Sequence, residues 1–121
     1  MAGAKILIVE DEFLIRLTLA EALTDDGFEV AEAASGDDAL AMLEQDPGIE
    51  LLLTDIQLPG KLDGVALAQA VRRRVPSMPV IFMTGRPDSM LDLGGSERDA
   101  LIAKPYLPSE VCATARRLTG R

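Results

Sequence analysis

The sequence predicts an α/β fold with a five-stranded parallel sheet and helices on both faces. Three observations support this prediction. Short apolar runs alternate with helical patterns along all 121 residues. Hydrophobic residues make up 48% of the chain, with three Phe, one Tyr and no Trp, so the core must be mostly aliphatic. No internal repeat, low-complexity tract or linker divides the chain. We therefore expect one domain over residues 1–121.

The five predicted strands are short apolar runs that are bounded by turn residues or by charged residues. The third contains three consecutive leucines, which is typical of a strand buried on both faces of a parallel sheet. The predicted strands cover residues 5–9, 28–33, 50–54, 79–83 and 100–103.

The predicted helices are recognised by apolar residues at helical spacing and by their start and stop signals. Gly27 ends the first helix, Ser35 caps the second, and Pro108 suits the first turn of the last. These helices cover residues 13–26, 35–45, 64–74 and 108–118. The segment 85–99 is the least regular, because Pro87 and two glycines favour at most a short helix inside a longer loop. This brings the count to about five helices.

Acidic residues follow two of the predicted strands. In open parallel sheets, ligands bind beyond the carboxyl ends of the strands where the strand order reverses. For the flavodoxin-like order 2-1-3-4-5, that point lies between strand 1, followed by Glu10, Asp11 and Glu12, and strand 3, followed by Asp55. Carboxylates that meet there repel one another, and a hard divalent cation relieves the repulsion. We therefore predict a Mg²⁺ site, since this ion prefers oxygen ligands.

A hydroxyl and an ammonium group follow two further predicted strands. Thr84 comes after strand 4 and Lys104 after strand 5. Beside an acid-bound metal, these groups favour an anionic guest such as a phosphoryl group. An aspartate nucleophile with magnesium, threonine and lysine supplies what phosphoryl transfer needs. Each residue alone could be an ordinary capping, loop or surface residue. Their joint occurrence at the strand ends favours a site.

Composition excludes several classes of function. A net charge of −8 disfavours binding to nucleic acid. The absence of histidine excludes His-based catalysis and a phosphohistidine of its own. A single cysteine, Cys112, cannot form an internal disulfide and is expected in the core. With no signal peptide or long apolar stretch, we expect a cytoplasmic protein that does not bind membranes.

The motifs at the strand ends, taken together, resemble the receiver domains of two-component response regulators. The resemblance covers essentially the whole chain. The motifs that match are Ile8-Val9-Glu10-Asp11-Glu12, Leu53-Thr54-Asp55-Ile56-Gln57-Leu58-Pro59-Gly60, Asp63-Gly64, Thr84-Gly85 and Lys104-Pro105.

This resemblance implies a role for each matching residue. Asp55 would be the phosphoacceptor. Mg²⁺ would be held by Asp11 and Asp55, by the backbone carbonyl of Gln57 and, through water, by Glu10. The phosphoryl group would be contacted by Thr84 and Lys104, and the bond before Pro105 would be cis. Glu12 is expected to be solvated.

The resemblance also implies partner proteins, and it implies that the protein is not an enzyme acting on other substrates. The phosphoryl donor would be a sensor histidine kinase or a histidine phosphotransfer protein. The surface formed by the fourth helix, the fifth strand and the fifth helix would serve a downstream protein or self-association. Two roles remain open: a stand-alone regulator with its own output, and a phosphate sink or relay intermediate. The protein would catalyse only its own phosphorylation and dephosphorylation.

Two enzyme alternatives are disfavoured by single features of the sequence. A flavin-binding protein of similar topology would need glycines and hydroxyls after strand 1, where this chain has three acids. A hydrolase that forms an aspartyl phosphate usually has a second aspartate two residues after the first, where this chain has Gln57.

Three features depart from the usual receiver pattern. Lys61-Leu62 lengthens the loop after Asp55 by one residue, which should reshape the turn. Leu101 stands where the family has its switch aromatic, and Tyr106 is the nearest aromatic residue. Phe82-Met83-Thr84-Gly85 is similar to a subgroup of single-domain receivers whose fourth strand ends Phe-Ala-Thr-Gly and whose fourth helix is short or mobile. We therefore expect residues 87–95 to have low local order, and we expect phosphorylation to make this segment more ordered.

Overall fold

The computed structural model describes residues 3–85 and 99–120, which contain five strands and four helices. The strands are β1 (Lys5–Val9), β2 (Glu29–Ala33), β3 (Ile49–Asp55), β4 (Val80–Thr84) and β5 (Asp99–Ala103). The helices are α1 (Phe13–Asp25), α2 (Gly36–Gln45), α3 (Gly64–Arg74) and α4 (Pro108–Thr119). The expectation about residues 87–95 lies outside the described residues, as does any helix between β4 and β5. No helix in the described parts of the chain is long and apolar enough to cross a membrane.

The strands form one parallel sheet in the order β2-β1-β3-β4-β5, which confirms the predicted topology. Side chains alternate between the two faces of each strand. In β1, Ile6 and Ile8 join the core on the face covered by α1 and α4, whereas Leu7 and Val9 join the core under α2 and α3. Both faces of the central strands are therefore buried, and this accounts for their unbroken apolar runs.

The helix signals in the sequence act as predicted. The Ser35 hydroxyl accepts a hydrogen bond from the Asp38 amide at 3.1 Å and caps α2. Gly27 follows α1 with φ of 97°, a left-handed conformation that glycine adopts without a steric penalty. Pro108 opens α4, and Cys112 is buried in the core as expected.

The strand ends lie one residue further along the chain than predicted at two positions. Asp55 and Thr84 were expected to follow β3 and β4, but each is the last residue of its strand. The reason is pairing with neighbouring strands: the Ile56 amide donates to the Met83 carbonyl at 3.0 Å, and the Lys104 amide donates to the Thr84 carbonyl at 2.8 Å. These contacts hold both residues in the sheet.

The loop between β3 and α3 is closed at its base and packed against α2. The Gly64 amide donates to the Ile56 carbonyl at 2.8 Å. Leu62, in the lengthened part of the loop, lies so close to Gly36 that a Cβ there would be 2.6 Å from the Leu62 carbonyl oxygen. The extra length therefore brings Leu62 against the start of α2.

The Gly64→Ala substitution should destabilise the protein. A Cβ at this position would lie 2.3 Å from the Asp55 carbonyl oxygen, so the backbone of β3 would have to move. We expect the free energy of unfolding to fall by about 1–3 kcal/mol, although alanine normally stabilises a helical position. Urea denaturation would measure the change. Gly85→Ala is the control, because no described atom lies within 4 Å of its added Cβ, and equal losses in both variants would contradict the prediction.

Candidate functional site

The buried polar residues of the described chain gather at one edge of the sheet. They are Glu10, Thr54, Asp55 and Thr84, with exposed fractions of 0%, 0%, 5% and 0%. All four lie at the carboxyl ends of β1, β3 and β4. Burying a polar group costs free energy unless it is paired, so such a concentration indicates a site.

A single ammonium group is shared by the two buried carboxylates. Lys104 follows β5, and its Nζ lies 2.9 Å from Asp55 Oδ2 and 3.5 Å from Glu10 Oε1. The side chain of Lys104 remains 27% exposed, so it reaches the acids from the rim of the site. The lysine thus offsets part of the negative charge in this cluster.

Three carboxylates converge closely enough to hold a metal ion. Glu10, Asp11 and Asp55 each offer one oxygen, and these oxygens lie within 4.8 Å of one another. Within the described parts of the chain, Glu10 Oε1 and Asp55 Oδ1 are buried acceptors without a hydrogen-bond partner. Buried carboxylate oxygens that lack a hydrogen-bond partner suit a hard divalent cation, so the residues present fit Mg²⁺.

Thr84 and Gln57 contact each other at the same edge of the sheet. Thr84 Oγ1 donates to Gln57 Oε1 at 3.5 Å, and the Gln57 side chain is exposed. The structure therefore brings all the predicted site residues to one edge. Glu12 is exposed and its carboxylate is outside the cluster, as expected. Its backbone amide points to Glu10 Oε2 at 3.5 Å.

The protonation of Glu10 is strongly altered by this environment. Burial and, next, the negative charge of Asp55 together raise its pKa from 4.5 to about 7, against the opposing effect of Lys104. For Lys104 itself, burial lowers the pKa, but the hydrogen bond to Asp55 and the charges of both acids outweigh it and raise the pKa overall. The lysine therefore stays protonated and available to an anion.

At the position where receiver domains have their switch aromatic residue, this chain has a leucine, as the sequence indicated. Leu101 is 42% exposed on β5. Tyr106 is half-buried, packs against the core under α1 and α4, and lines an apolar groove of about 470 Å³ beside Lys104. Burial raises the pKa of this tyrosine. The Lys104–Pro105 bond is cis, as the resemblance implied.

Arg16 is a residue of this region that the sequence analysis did not select. Its guanidinium donates to the backbone carbonyl of Glu10 at 2.8 Å and to Glu32 Oε1 at 3.1 Å. The available signal was its position in the first turns of the helix that follows the acidic motif. That position alone does not say which backbone group the side chain reaches.

Comparison with protein families matches residues 6–116 to the response regulator receiver domain. The chain belongs to this family. Receiver domains are the phosphorylation-dependent switches of two-component signalling.

Individual relatives agree with this assignment. The aerobic respiration control protein ArcA of Escherichia coli is 37% identical over 123 aligned positions, which cover 100% of this chain and 50% of ArcA. The chain thus spans about half the length of the curated relatives it matches. A receiver protein from Sinorhizobium medicae is similar in structure, with a TM-score of 0.90, 26% identity, and coverage of 98% of this chain and 95% of that one. NtrX from Brucella abortus has a TM-score of 0.86 and 33% identity over 99% of this receiver and 27% of its own chain.

The raised pKa of Glu10 predicts a pH dependence of stability in the metal-free receiver. Between the unfolded value of 4.5 and the folded value of about 7, the folded protein holds a proton that the unfolded chain has released. The free energy of unfolding should therefore fall as pH rises through this window, with a contribution from Glu10 of roughly 1–3 kcal/mol. Asp11, Asp55 and Lys104 face the same carboxylate.

Urea denaturation in EDTA at about pH 5 and about pH 8 would measure this dependence. Glu10→Gln should reduce the difference in the free energy of unfolding between the two pH values, since it removes the titrating group. Glu44→Gln, in an exposed ion pair with Arg74, is the control and should leave the difference unchanged. An unaltered pH dependence in Glu10→Gln would refute the prediction.

Proposed function

We propose that this receiver accepts a phosphoryl group on Asp55, with Mg²⁺ bound, from a sensor histidine kinase or a histidine phosphotransfer protein. The single observation that carries the proposal is the environment of Asp55. Asp55 is the last residue of β3 and is 5% exposed. One of its carboxylate oxygens accepts a hydrogen bond from Lys104, and the other has no hydrogen-bond partner in the described structure. A buried nucleophile beside a cation is suited to a transfer that depends on positioning and charge.

The proposed reaction is a displacement at phosphorus. An Asp55 oxygen forms the new bond to phosphorus and the bond from phosphorus to the donor's imidazole nitrogen breaks. The nitrogen leaves with the electron pair and takes up a proton. The product is an acyl phosphate on Asp55.

Lys104 and Thr84 contact the transferred group in this proposal. Lys104 already lies 2.9 Å from Asp55, so its ammonium can move from the carboxylate to a phosphoryl oxygen over a short distance. Thr84 ends β4, and its hydroxyl can exchange its long contact with Gln57 for a phosphoryl oxygen. Charge-assisted hydrogen bonds of this kind are stronger than the neutral contact that is lost.

The metal is proposed to be held by the three converging acids. Asp11 and Asp55 supply carboxylate oxygens, Gln57 its backbone carbonyl, and Glu10 assists through water. When bound, Mg²⁺ neutralises the negative charge that develops on the phosphoryl oxygens. The buried oxygens of Glu10 and Asp55 that lack a hydrogen-bond partner support this assignment.

The output is proposed to be a changed surface, although a phosphate sink or relay role uses the same chemistry. β5 and the segment before α4 expose Leu101 and Leu107, at 42% and 63%. These residues lie on the surface that the sequence analysis assigned to a downstream protein or to self-association. Residues 1–121 would form one receiver domain, and its phosphoryl donor would be its only substrate.

Asp55→Asn should abolish phosphorylation. Incubation of the wild type with acetyl phosphate and Mg²⁺ should add the mass of one phosphoryl group, and the variant should add none because the nucleophilic oxygen is replaced. Intact-mass spectrometry measures this directly. Asp63→Asn is the control, because asparagine can keep the hydrogen bond from the Ala66 amide that caps α3. An adduct on Asp55→Asn would place the acceptor elsewhere.

Asp11→Asn should weaken Mg²⁺ binding by at least about tenfold, because it removes one of the few charged ligands. Isothermal titration calorimetry would measure the dissociation constant. Glu12→Gln is the matched control: it removes a neighbouring exposed acid that is outside the cluster. If both variants bind Mg²⁺ like the wild type, the assigned ligand set is wrong.

A further inference from the structure

We propose that Arg16 is a positioning residue for the cation site, which it serves by fixing the backbone between Glu10 and Asp11. The inference rests on the proposed function, because it concerns the same metal site. Arg16 Nη1 donates to the Glu10 carbonyl oxygen at 2.8 Å, and Nε donates to Glu32 Oε1 at 3.1 Å. The Arg16 side chain is only 16% exposed.

The contact acts on the peptide unit that joins two of the three acids. The Glu10 amide donates to the Ala33 carbonyl at 3.1 Å and thereby extends the pairing of β1 with β2. The Glu10 carbonyl oxygen accepts the hydrogen bond from the Arg16 guanidinium. Peptide units are planar, so holding this oxygen also sets the direction in which Asp11 leaves the strand. The Asp11 carboxylate must reach Asp55 from an exposed position, so this direction matters.

The Arg16 side chain makes two further contacts. Glu32 on β2 binds Nε, and the Phe13 ring lies 5.5 Å from the guanidinium carbon. The Arg16 amide also donates to the Glu12 carbonyl at 3.0 Å, within the first turn of α1. The planar fork of the guanidinium can serve Glu32 and the Glu10 carbonyl together, which a single ammonium group cannot do in the same geometry.

Charge and geometry predict opposite effects when Arg16 is removed. Arg16 is a cation close to a site for another cation, so loss of its charge alone would tighten Mg²⁺ binding. Loss of a group that orients the ligands would weaken binding, as residues behind metal ligands generally do. The sign of the change therefore distinguishes a positioning role from an electrostatic one.

The test is the Mg²⁺ affinity of Arg16→Gln, measured by isothermal titration calorimetry on the full chain. We expect the dissociation constant to rise about tenfold. Arg74→Gln is the matched control, because it removes an exposed arginine paired with Glu44 and should bind Mg²⁺ like the wild type. Thermal unfolding in EDTA reports the structural effect separately: a purely structural role would lower the melting temperature without changing the affinity of the folded protein.

A second variant covers the case in which Arg16→Gln does not fold. Glu32→Gln weakens the partner that orients the guanidinium at an exposed position, and it should also raise the dissociation constant, by less. Unchanged or tighter Mg²⁺ binding in Arg16→Gln, or in Glu32→Gln if the first variant is unfolded, overturns the proposal. If the wild type binds Mg²⁺ normally in that experiment, the proposed function stands and only the role of Arg16 falls. If the wild type does not bind Mg²⁺, the proposed metal site and this inference both fall.

Discussion

Two buried carboxylates, those of Glu10 and Asp55, share one ammonium group at the carboxyl edge of the sheet. Like charges in such a site repel, and a proton on Glu10, the Lys104 ammonium or a metal ion can each reduce the repulsion. The arrangement is therefore sensitive to anything that alters its charge. In the proposed reaction, a phosphoryl group would bring further negative charge to Asp55 and would compete for the same lysine. Lys104 follows directly on β5, so its ammonium connects this charged cluster to the outer strand of the sheet.

The fold supplies a rigid support for that charged cluster. Alternating side chains of the central strands fill two apolar cores, one on each face of the sheet. Asp55 and Thr84 are the last residues of paired strands, so their backbones are held by hydrogen bonds from neighbouring strands. The groups that must move, such as the Lys104 ammonium, are carried on side chains instead. In the proposed reaction, a fixed acceptor and mobile side-chain partners would allow the chemistry to proceed without disturbing the core.

The chain combines the common receiver architecture with features of its own. Structural similarity to the receiver from Sinorhizobium medicae is high at 26% identity, as expected when the pattern of buried residues rather than their identity sets the fold. The longer loop after Asp55 is packed by Leu62 against Gly36, which ties the loop of the site to α2. Leu101 leaves the edge strand without an aromatic side chain, whereas Tyr106 lies half-buried beside Lys104. Any coupling of the site to this surface must therefore differ from that of receivers with an aromatic residue at position 101.

The sequence by itself determined the order of strands and helices, the caps at Ser35 and Pro108, and the set of acids at the sheet edge. These follow from local signals: apolar periodicity, turn residues and the rule that parallel strands end at a common edge. The last residues of β3 and β4 were missed by one position, because pairing with a neighbouring strand decides where a strand ends. Only the tertiary structure showed that Lys104 reaches both acids, that Leu62 packs on Gly36, and that Arg16 binds the Glu10 carbonyl. Each of these contacts joins segments or atoms whose separation is set by packing, and no pattern of residue types along the chain encodes that distance.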